Sequence, residues 1–541
     1  MLEERELLLV VVGFMIAFIS AFGLGANDVA NSFGTSVGSK VLSLRAACIL
    51  ATICEISGSV LLGGDVSATV RDGIIDPTRF NESENGPWML MQGQVSSLVG
   101  STLWMMTATF FKMPVSATHS IVGATAGFGL VLFGLKGINW KGILKIVASW
   151  FISPVLSGLV SSCLYCVIKY TVLNKAEPLE PALNTLPFLY GITITVNVFS
   201  VLYGGLEILT VPKIELWIVL VTSFGSGIGT ALIVFFFVRP HIRKKVKRRL
   251  EIIATGDLSA LEKKSKLSIL KELRTRIISF FCRHRNHPIT VVESDDEKTG
   301  NVKATGALLS AKCTDTRENN FNDEHGGDVA NIDLELQSSP PAVVNGDNIA
   351  PEGETVIVSY LPDTDPDCQV CERPEETQVF AFAQILTATF GSFVHGGNDV
   401  SNAIGPVIGL WIVATTGNVL MTGTPAVWIL FYGGVGISVG LWTWGRKVMQ
   451  TIGTDLTEIT PTAGVCIELG AAVTVLIASK VGLPISTTHC LVGSVIFVGY
   501  LGKKKSVNWK LFTGIAFAWI ITLPVSCGLS ALTMYIFTLS Y

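Results

Sequence analysis

Charge is what this chain has least of. Asp, Glu, Lys and Arg make up 15% of its 541 residues, against 49% hydrophobic, and the mean hydropathy is +0.53. Many windows exceed the ~18 apolar residues needed to cross a bilayer, so the chain reads as an all-α polytopic membrane protein embedded in lipid rather than a soluble domain. A basic leader is missing as well. Met1-Leu2-Glu3-Glu4-Arg5-Glu6 has no basic n-region, so no cleavable signal peptide is expected. A second cysteine pair is also missing. Cys368-Gln369-Val370-Cys371 is a lone C-x-x-C in a polar loop, which argues against metal or redox chemistry there. Cys48, Cys54, Cys163, Cys166, Cys466, Cys490 and Cys527 sit in apolar runs and read as small buried thiols. The net charge of −3 conceals charges that are sorted by place. Neither a cofactor nor a nucleic-acid partner is expected.

What the chain does contain is one short phrase written twice. Gly25-Ala26-Asn27-Asp28-Val29-Ala30-Asn31 returns as Gly396-Gly397-Asn398-Asp399-Val400-Ser401-Asn402, each time after an apolar run. A carboxylate at membrane depth costs several kcal/mol and is kept mostly where it does a job. Two further phrases repeat in the same order. Pro114-Val115-Ser116-Ala117-Thr118-His119 returns as Pro484-Ile485-Ser486-Thr487-Thr488-His489, and Asn139-Trp140-Lys141 as Asn508-Trp509-Lys510. The offsets, Asn27 to Asn398, Ser116 to Ser486 and Asn139 to Asn508, are 371, 370 and 369 residues. They mark an internal duplication and a site built by two halves.

Apolar spans fall near 7–24, 46–64, 92–111, 115–135, 143–168, 188–204, 214–238, 379–395, 425–443, 462–480, 486–501 and 511–539, about twelve crossings. They divide the chain into a first membrane half (1–238, one repeat plus additional helices), a polar loop (239–377) and a second membrane half (378–541). The loop opens with seven Lys/Arg between Arg239 and Arg249, continues as a charged, helix-compatible piece to about 283, and is too polar beyond about 285 to bury a core, so disorder is expected there. The basic run places the loop in the cytoplasm. Counting outward puts both termini outside the cell, together with Asn81-Glu82-Ser83, an N-glycosylation sequon at Asn81. Arg446-Lys447 and Lys503-Lys504-Lys505 then fall inside, as the charge rule requires. The repeats therefore run in opposite senses: two inverted-topology repeats, with substrate expected near the midplane between them. The glycines around both Asp phrases, with Pro406, suggest discontinuous helices with free carbonyls.

The paired Gly-x-Asn-Asp-Val-x-Asn phrases, the paired Pro-x-Ser-x-Thr-His phrases, the long central loop and the outer sequon resemble the inorganic phosphate transporter family, most nearly its animal sodium-dependent members, solute carrier family 20. The resemblance covers roughly 1–240 and 378–541 and leaves out the loop. It implies sodium–phosphate symport into the cell across the plasma membrane, with sodium as co-substrate. A homodimer and cytoplasmic partners of the loop are compatible with the chain, which names no partner.

The residues can be read beside that resemblance. Phosphate is held by hydroxyls, amides and helix N-termini. Pro114 and Pro484 suit a first helical turn, which places Ser116, Thr118, Ser486, Thr487 and Thr488 at helix starts with donors to offer. No Lys or Arg lies in either motif, so co-bound sodium can supply the positive charge and allow release. The plain alternative is that these hydroxyls only cap their helices. Asp28 and Asp399 are the sodium candidates, with Asn27 and Asn398 adding carbonyl oxygens. Asn31 and Asn402 are assigned to phosphate, although the residues themselves leave the Asn side chains open between the two ligands. Glu55 and Glu468 are the remaining intramembrane carboxylates, and the resemblance implies that both are needed for transport. They are not repeat mates, since the offset sets Glu468 opposite Leu98. His119 and His489 read as satisfied core histidines, Arg71 and Lys112 as snorkelling side chains, and Trp140 and Trp509 as interfacial anchors. The alternative function is a proton-coupled phosphate permease or one for another oxyanion, sulfate or arsenate. A membrane enzyme such as an intramembrane hydrolase would need a nucleophile–base pair or paired catalytic Asp in a suitable motif, and the Asn-flanked Asp pair lacks the Gly-x-Gly-Asp wording of an aspartyl protease, so no enzyme is expected. A receptor or scaffold acting through the loop remains a third class.

Overall fold

The computed structural model describes residues 3–72, 74–82, 85–203, 214–255, 372–421, 423, 425–450, 456–480, 485–502 and 507–539. The elements among them are helices, with a single bridge between Ile75 and Ile138 as the one β feature of the described residues. In the first half they are α1 (Glu4–Asn27), α2 (Val29–Gly38), α3 (Leu44–Asp72), α4 (Gly86–Phe110), α5 (Ala117–Phe133) and α6 (Trp140–Ile168). Next come α7 (Leu179–Tyr203), α8 (Leu216–Ile233) and α9 (Arg239–Thr255). The second half holds α10 (Pro374–Thr416), α11 (Val427–Gln450), α12 (Pro461–Lys480), α13 (Thr487–Gly502) and α14 (Trp509–Thr538).

Every apolar span read from the sequence falls on one of these helices. Ten helices are long and apolar enough to cross a membrane among the described residues. Two of the twelve expected crossings are not among those ten. One is α4, which carries Gln92, Gln94, Ser96, Ser97 and Ser101 buried in its middle. The other is α13, whose 16 residues extend about 24 Å, short of a ~30 Å hydrocarbon core.

The two Asp phrases fold differently. The first interrupts its helix: α1 ends at Asn27 and α2 starts at Val29, with Asp28 between them. The second does not, because α10 runs unbroken for 43 residues through Asp399 and Pro406. A break was expected at both. The glycines of the second phrase serve close packing instead. A Cβ at Gly396 would lie 2.5 Å from the Glu55 carbonyl oxygen of α3, and one at Gly397 would lie 2.5 Å from the Leu62 side chain. The polar stretch expected from 239 also begins as helix. Ile242 and Val246 of α9 are buried one turn apart, and Arg239 and Arg243 both reach Glu180 of α7. Residues 256–371, with Cys368 and Cys371, lie outside the described residues, as do Lys503 to Lys505 and the side chains of Arg71, Arg446 and Lys447.

Packing follows from the solvent. Lipid tails are as apolar as Leu, so helices associate through small residues that let backbones touch rather than through hydrophobic transfer. Several of the close approaches come in mates. A Cβ at Gly25 would lie 1.9 Å from the Ile437 oxygen, and its counterpart is Gly396 against Glu55. A Cβ at Gly440 would lie 1.9 Å from the Phe22 oxygen, and its counterpart is Gly58, 2.0 Å from the Phe393 oxygen. Thus α1 pairs with α11 as α10 pairs with α3. On the other side α5 packs on α14, where a Cβ at Gly127 would lie 2.2 Å from the Cys527 oxygen. Its mate is α13 on α6, where a Cβ at Gly493 would lie 2.3 Å from the Pro154 oxygen. Each half therefore embraces elements of the other, and α5, α10 and α12 end inside the bundle. Helices α6, α7, α8 and α14 turn large apolar side chains such as Phe151, Phe188, Phe224 and Phe517 outward.

Candidate functional site

The site lies where the starts of α5 and α13 meet Asp28 and the middle of α10. Ser116 caps α5, its oxygen accepting from the His119 N–H at 3.3 Å, and Ser486 accepts from the His489 N–H at 3.2 Å. Both serines retain a hydroxyl proton to donate. Pro484 lies outside the described residues. Thr488 of the second half donates to Asp28 Oδ1 at 2.8 Å, and the Ala117 N–H reaches Asp28 Oδ2 at 3.3 Å. Thr487 donates to Asp399 Oδ1 at 3.2 Å. Thr118 donates to the Ile485 carbonyl at 3.2 Å and accepts from Asn402 Nδ2 at 3.0 Å. The helix starts are thus tied across the halves, and all of these side chains are buried.

The two phrases are not equivalent in what they leave available. Asn27 is occupied: its amide donates to Thr109 Oγ1 at 3.1 Å and the Met113 carbonyl at 2.9 Å, and its oxygen accepts from the Val115 N–H at 3.1 Å. It therefore holds the turn that leads into α5. Around α10, by contrast, Asp399 Oδ2, Asn402 Oδ1 and Asn398 Nδ2 are buried with no hydrogen-bond partner among the described residues. A buried polar atom without a partner costs about 1–3 kcal/mol, so these oxygens are suited to a ligand. The side chain of Asn31 lies outside the described residues.

Glu55 and Glu468 occupy separate surroundings. Glu55 accepts from Ser392 at 2.8 Å through Oε1, while Oε2 has no partner among the described residues. Beside it Ser32 pairs with His395 Nδ1 at 2.9 Å. Glu468 is enclosed by donors from two other helices. Thr35, Ser36 (2.8 Å) and Gln384 (3.3 Å) reach Oε1, and Thr387 reaches Oε2 at 2.5 Å. No Lys or Arg is among the named partners of these carboxylates. The ion pairs of the described residues lie elsewhere: Arg5–Glu3, Arg239 and Arg243 with Glu180, and Arg373–Glu376. Four buried carboxylates, bonded by hydroxyls and amides with one oxygen each of Glu55 and Asp399 left without a partner among the described residues, form an oxygen-rich interior suited to a hard monovalent cation. Among the described residues no cluster of three His, Cys, Asp or Glu could hold a metal through those side chains alone.

The donors around Glu468 were missed in the sequence, yet a signal for them exists. Gln384, Thr387, Ser392, His395, Asn398, Asp399 and Asn402 recur at helical spacing along α10, a polar stripe inside an apolar helix. The structure brings Asp28, Asp399, Ser116, Thr118, Ser486, Thr487, Thr488 and Asn402 into one region. Asn81 is exposed on the short 3₁₀ helix Pro77–Glu82, whereas the site is buried. Thr78 bonds Asp76 Oδ1 through both its hydroxyl (2.6 Å) and its N–H (3.0 Å) at the head of that turn. The Thr78 hydroxyl, then its N–H, hold the Asp76 carboxyl below the usual carboxylate range.

Comparison with known proteins identifies the family. The family model described as the phosphate transporter family matches residues 24–530. A sodium-dependent phosphate transporter 1-B of Danio rerio is 40% identical, covering 98% of this chain and 95% of its own length. A sodium-dependent phosphate transporter 2 of Xenopus tropicalis is 39% identical, covering 99% of both chains. A solved structure of a sodium-dependent phosphate transporter superposes with a TM-score of 0.68 at 30% identity, over 98% of this chain and all (100%) of that one. The chain belongs to the phosphate transporter family.

Proposed function

We propose that this chain carries inorganic phosphate into the cell together with sodium, binding both between two inverted repeats near the membrane midplane. It is a transporter, not an enzyme, as its family is. The observation that carries the reading is the meeting of two hydroxyl-bearing helix starts with two buried carboxylates, Thr488 on Asp28 and Thr487 on Asp399, without a Lys or Arg among their named partners. Phosphate takes the free hydroxyls of Ser116 and Ser486, with Asn31 and Asn402, and those of Thr118, Thr487 and Thr488 as they release the Ile485 carbonyl, Asp399 and Asp28. Sodium takes Asp28 and Asp399, with Asn398 beside them. Asn27, whose carboxamide is already engaged, shapes the Asp28 end of the sodium site from behind. Glu55 and Glu468 serve the transport cycle from their separate pockets.

The mated glycine contacts support the inverted repeats, and the division into halves 1–238 and 378–541 around a cytoplasmic loop 239–377 follows the same pattern. Twelve crossings are kept, with α4 and α13 spanning inside the bundle, where protein rather than lipid meets their polar and short stretches. Both termini and Asn81 face outward, and the protein resides in the plasma membrane.

Radiolabelled phosphate uptake into cells, with sodium replaced by choline, tests the reading. Uptake that requires sodium supports it. Uptake that follows the proton gradient instead selects the proton-coupled alternative, and an absence of phosphate uptake overturns both.

A further inference from the structure

Behind the two helix starts lies a group of rings that the transport reading does not use. His119 follows Thr118, and His489 follows Thr488. His489 Nδ1 lies 3.2 Å from the Trp150 carbonyl of α6, and His119 Nδ1 lies 3.5 Å from the Trp519 carbonyl of α14. A carbonyl can only accept, so in both histidines Nδ1 carries the proton. The rings are arranged the other way round. His119 stacks on Trp150 with centroids 3.5 Å apart, and His489 lies against Trp519 at 3.7 Å. The imidazoles meet edge to face at 4.3 Å. Each histidine therefore bonds the backbone of one tryptophan and stacks on the ring of the other, and the four residues close a cycle across the two halves.

We propose that His119 and His489 form a reciprocal clasp that sets the spacing between the two hydroxyl-bearing helix starts, and through it the affinity for phosphate. They are positioning residues. The proposal rests on the reading that Ser116, Ser486 and their neighbours contact phosphate. The link is short, because the backbone N–H of each histidine is the donor to its own serine. The imidazole fixes from one end the residue that orients the serine hydroxyl from the other.

The clasp is unequal. Pro154 stands four residues after Trp150 and lacks the N–H that would bond that carbonyl within α6. The Trp150 carbonyl is thus left to His489. In α14 the proline is Pro524, five residues after Trp519, so the Trp519 carbonyl still faces the N–H of Leu523. The longer His119 contact agrees with this competition, and His489 is the dominant member.

Asn and Gln replacements separate the donor from the ring, since Asn places its amide where Nδ1 stood and Gln places it where Nε2 stood. In the full-length transporter expressed in cells, His489→Gln is expected to raise the phosphate KM about threefold to tenfold, while His489→Asn stays within about twofold of the original. The same order at His119 is expected to be smaller. Maximal uptake per surface transporter and sodium activation change little. KM is read independently of how much protein reaches the surface. Equal KM values for the Asn and Gln variants overturn the clasp. Loss of both Gln variants from the surface while both Asn variants arrive also overturns it, in favour of a folding role. An original chain without sodium-dependent phosphate uptake overturns instead the reading on which the clasp rests.

Discussion

Thr488→Val is the substitution that probes the shared site most directly. It preserves volume and branching and removes one hydroxyl. That hydroxyl belongs to the second half, and it donates to Asp28 of the first at 2.8 Å. Asp28 is 1% exposed, so water does not replace the lost donor. The Ala117 N–H, at 3.3 Å, is the named protein donor that remains. A hydrogen bond to a charged group contributes about 1.5–3 kcal/mol, which is about 10- to 150-fold in an equilibrium constant. If Asp28 holds sodium and Thr488 orients it, the half-saturating sodium concentration rises by that order. The longer bond of Thr487 to Asp399, 3.2 Å, sets a smaller effect for Thr487→Val. Thr488→Ser restores the donor and should recover most of the loss. The assay is phosphate uptake against sodium concentration, normalised to surface protein by biotinylation. A Thr488→Val transporter with an unchanged sodium curve, or a Ser variant no better than Val, refutes the assignment of this bond to the cation site.

Asp28→Asn and Asp399→Asn each remove an anionic ligand with little change of shape, and uptake should be abolished or strongly impaired while surface levels persist; normal sodium-coupled uptake in both removes them from coupling. Ser116→Ala and Ser486→Ala should raise the apparent phosphate KM more than they alter sodium activation, by up to more than ~10-fold if the contact is to a charged oxygen. Thr487 stands where the first half has Ala117, so Ser486→Ala with Thr487→Ala should be worse than either change alone; unchanged KM values across the series would reduce the serines to caps. Gly25→Ala sets a methyl 1.9 Å from the Ile437 oxygen, which belongs to backbone and cannot swing aside, so surface expression should fall sharply, whereas Gly514→Ala, with open space around it, should be neutral.

Much of this protein was legible in its sequence. Hydropathy located all ten helices of the described residues that are long and apolar enough to cross a membrane, and α4 and α13 besides, because the bilayer forces backbone groups to bond within their own segment. The doubled phrases pointed to Asp28 and Asp399 and to the hydroxyl motifs, which the fold ties together, and scarce charge pointed to Glu55 and Glu468, which it buries. Ser116 does cap its helix, as the plain alternative had it, accepting from the N–H three residues on. Asn139 and Asn508 cap theirs in the same way, a role the repeated phrase did not assign. Periodicity could not tell which helices pair. A fourth repeat match, Gly58 with Gly440, sits at an offset of 382 rather than 371, so linear comparison passes over it. It becomes visible when Gly25 meets Ile437 and Gly396 meets Glu55 in mated crossings.

The tertiary structure also decided what similar words do. The first Asp phrase breaks its helix and the second does not, since Gly396 is held against α3 and α10 continues past Pro406. Asn27 and Asn398 read alike, yet Asn27 is occupied by the turn at 109–115 while Asn398 Nδ2 has no partner among the described residues. Glu468 takes its donors from residues as distant as Thr35, and the two histidines bond tryptophans more than three hundred residues away. A side chain's hydrogen-bond partners depend on which helices touch. In a membrane that is set by where small residues allow backbones to approach, a matter of three-dimensional fit that no short stretch of sequence contains.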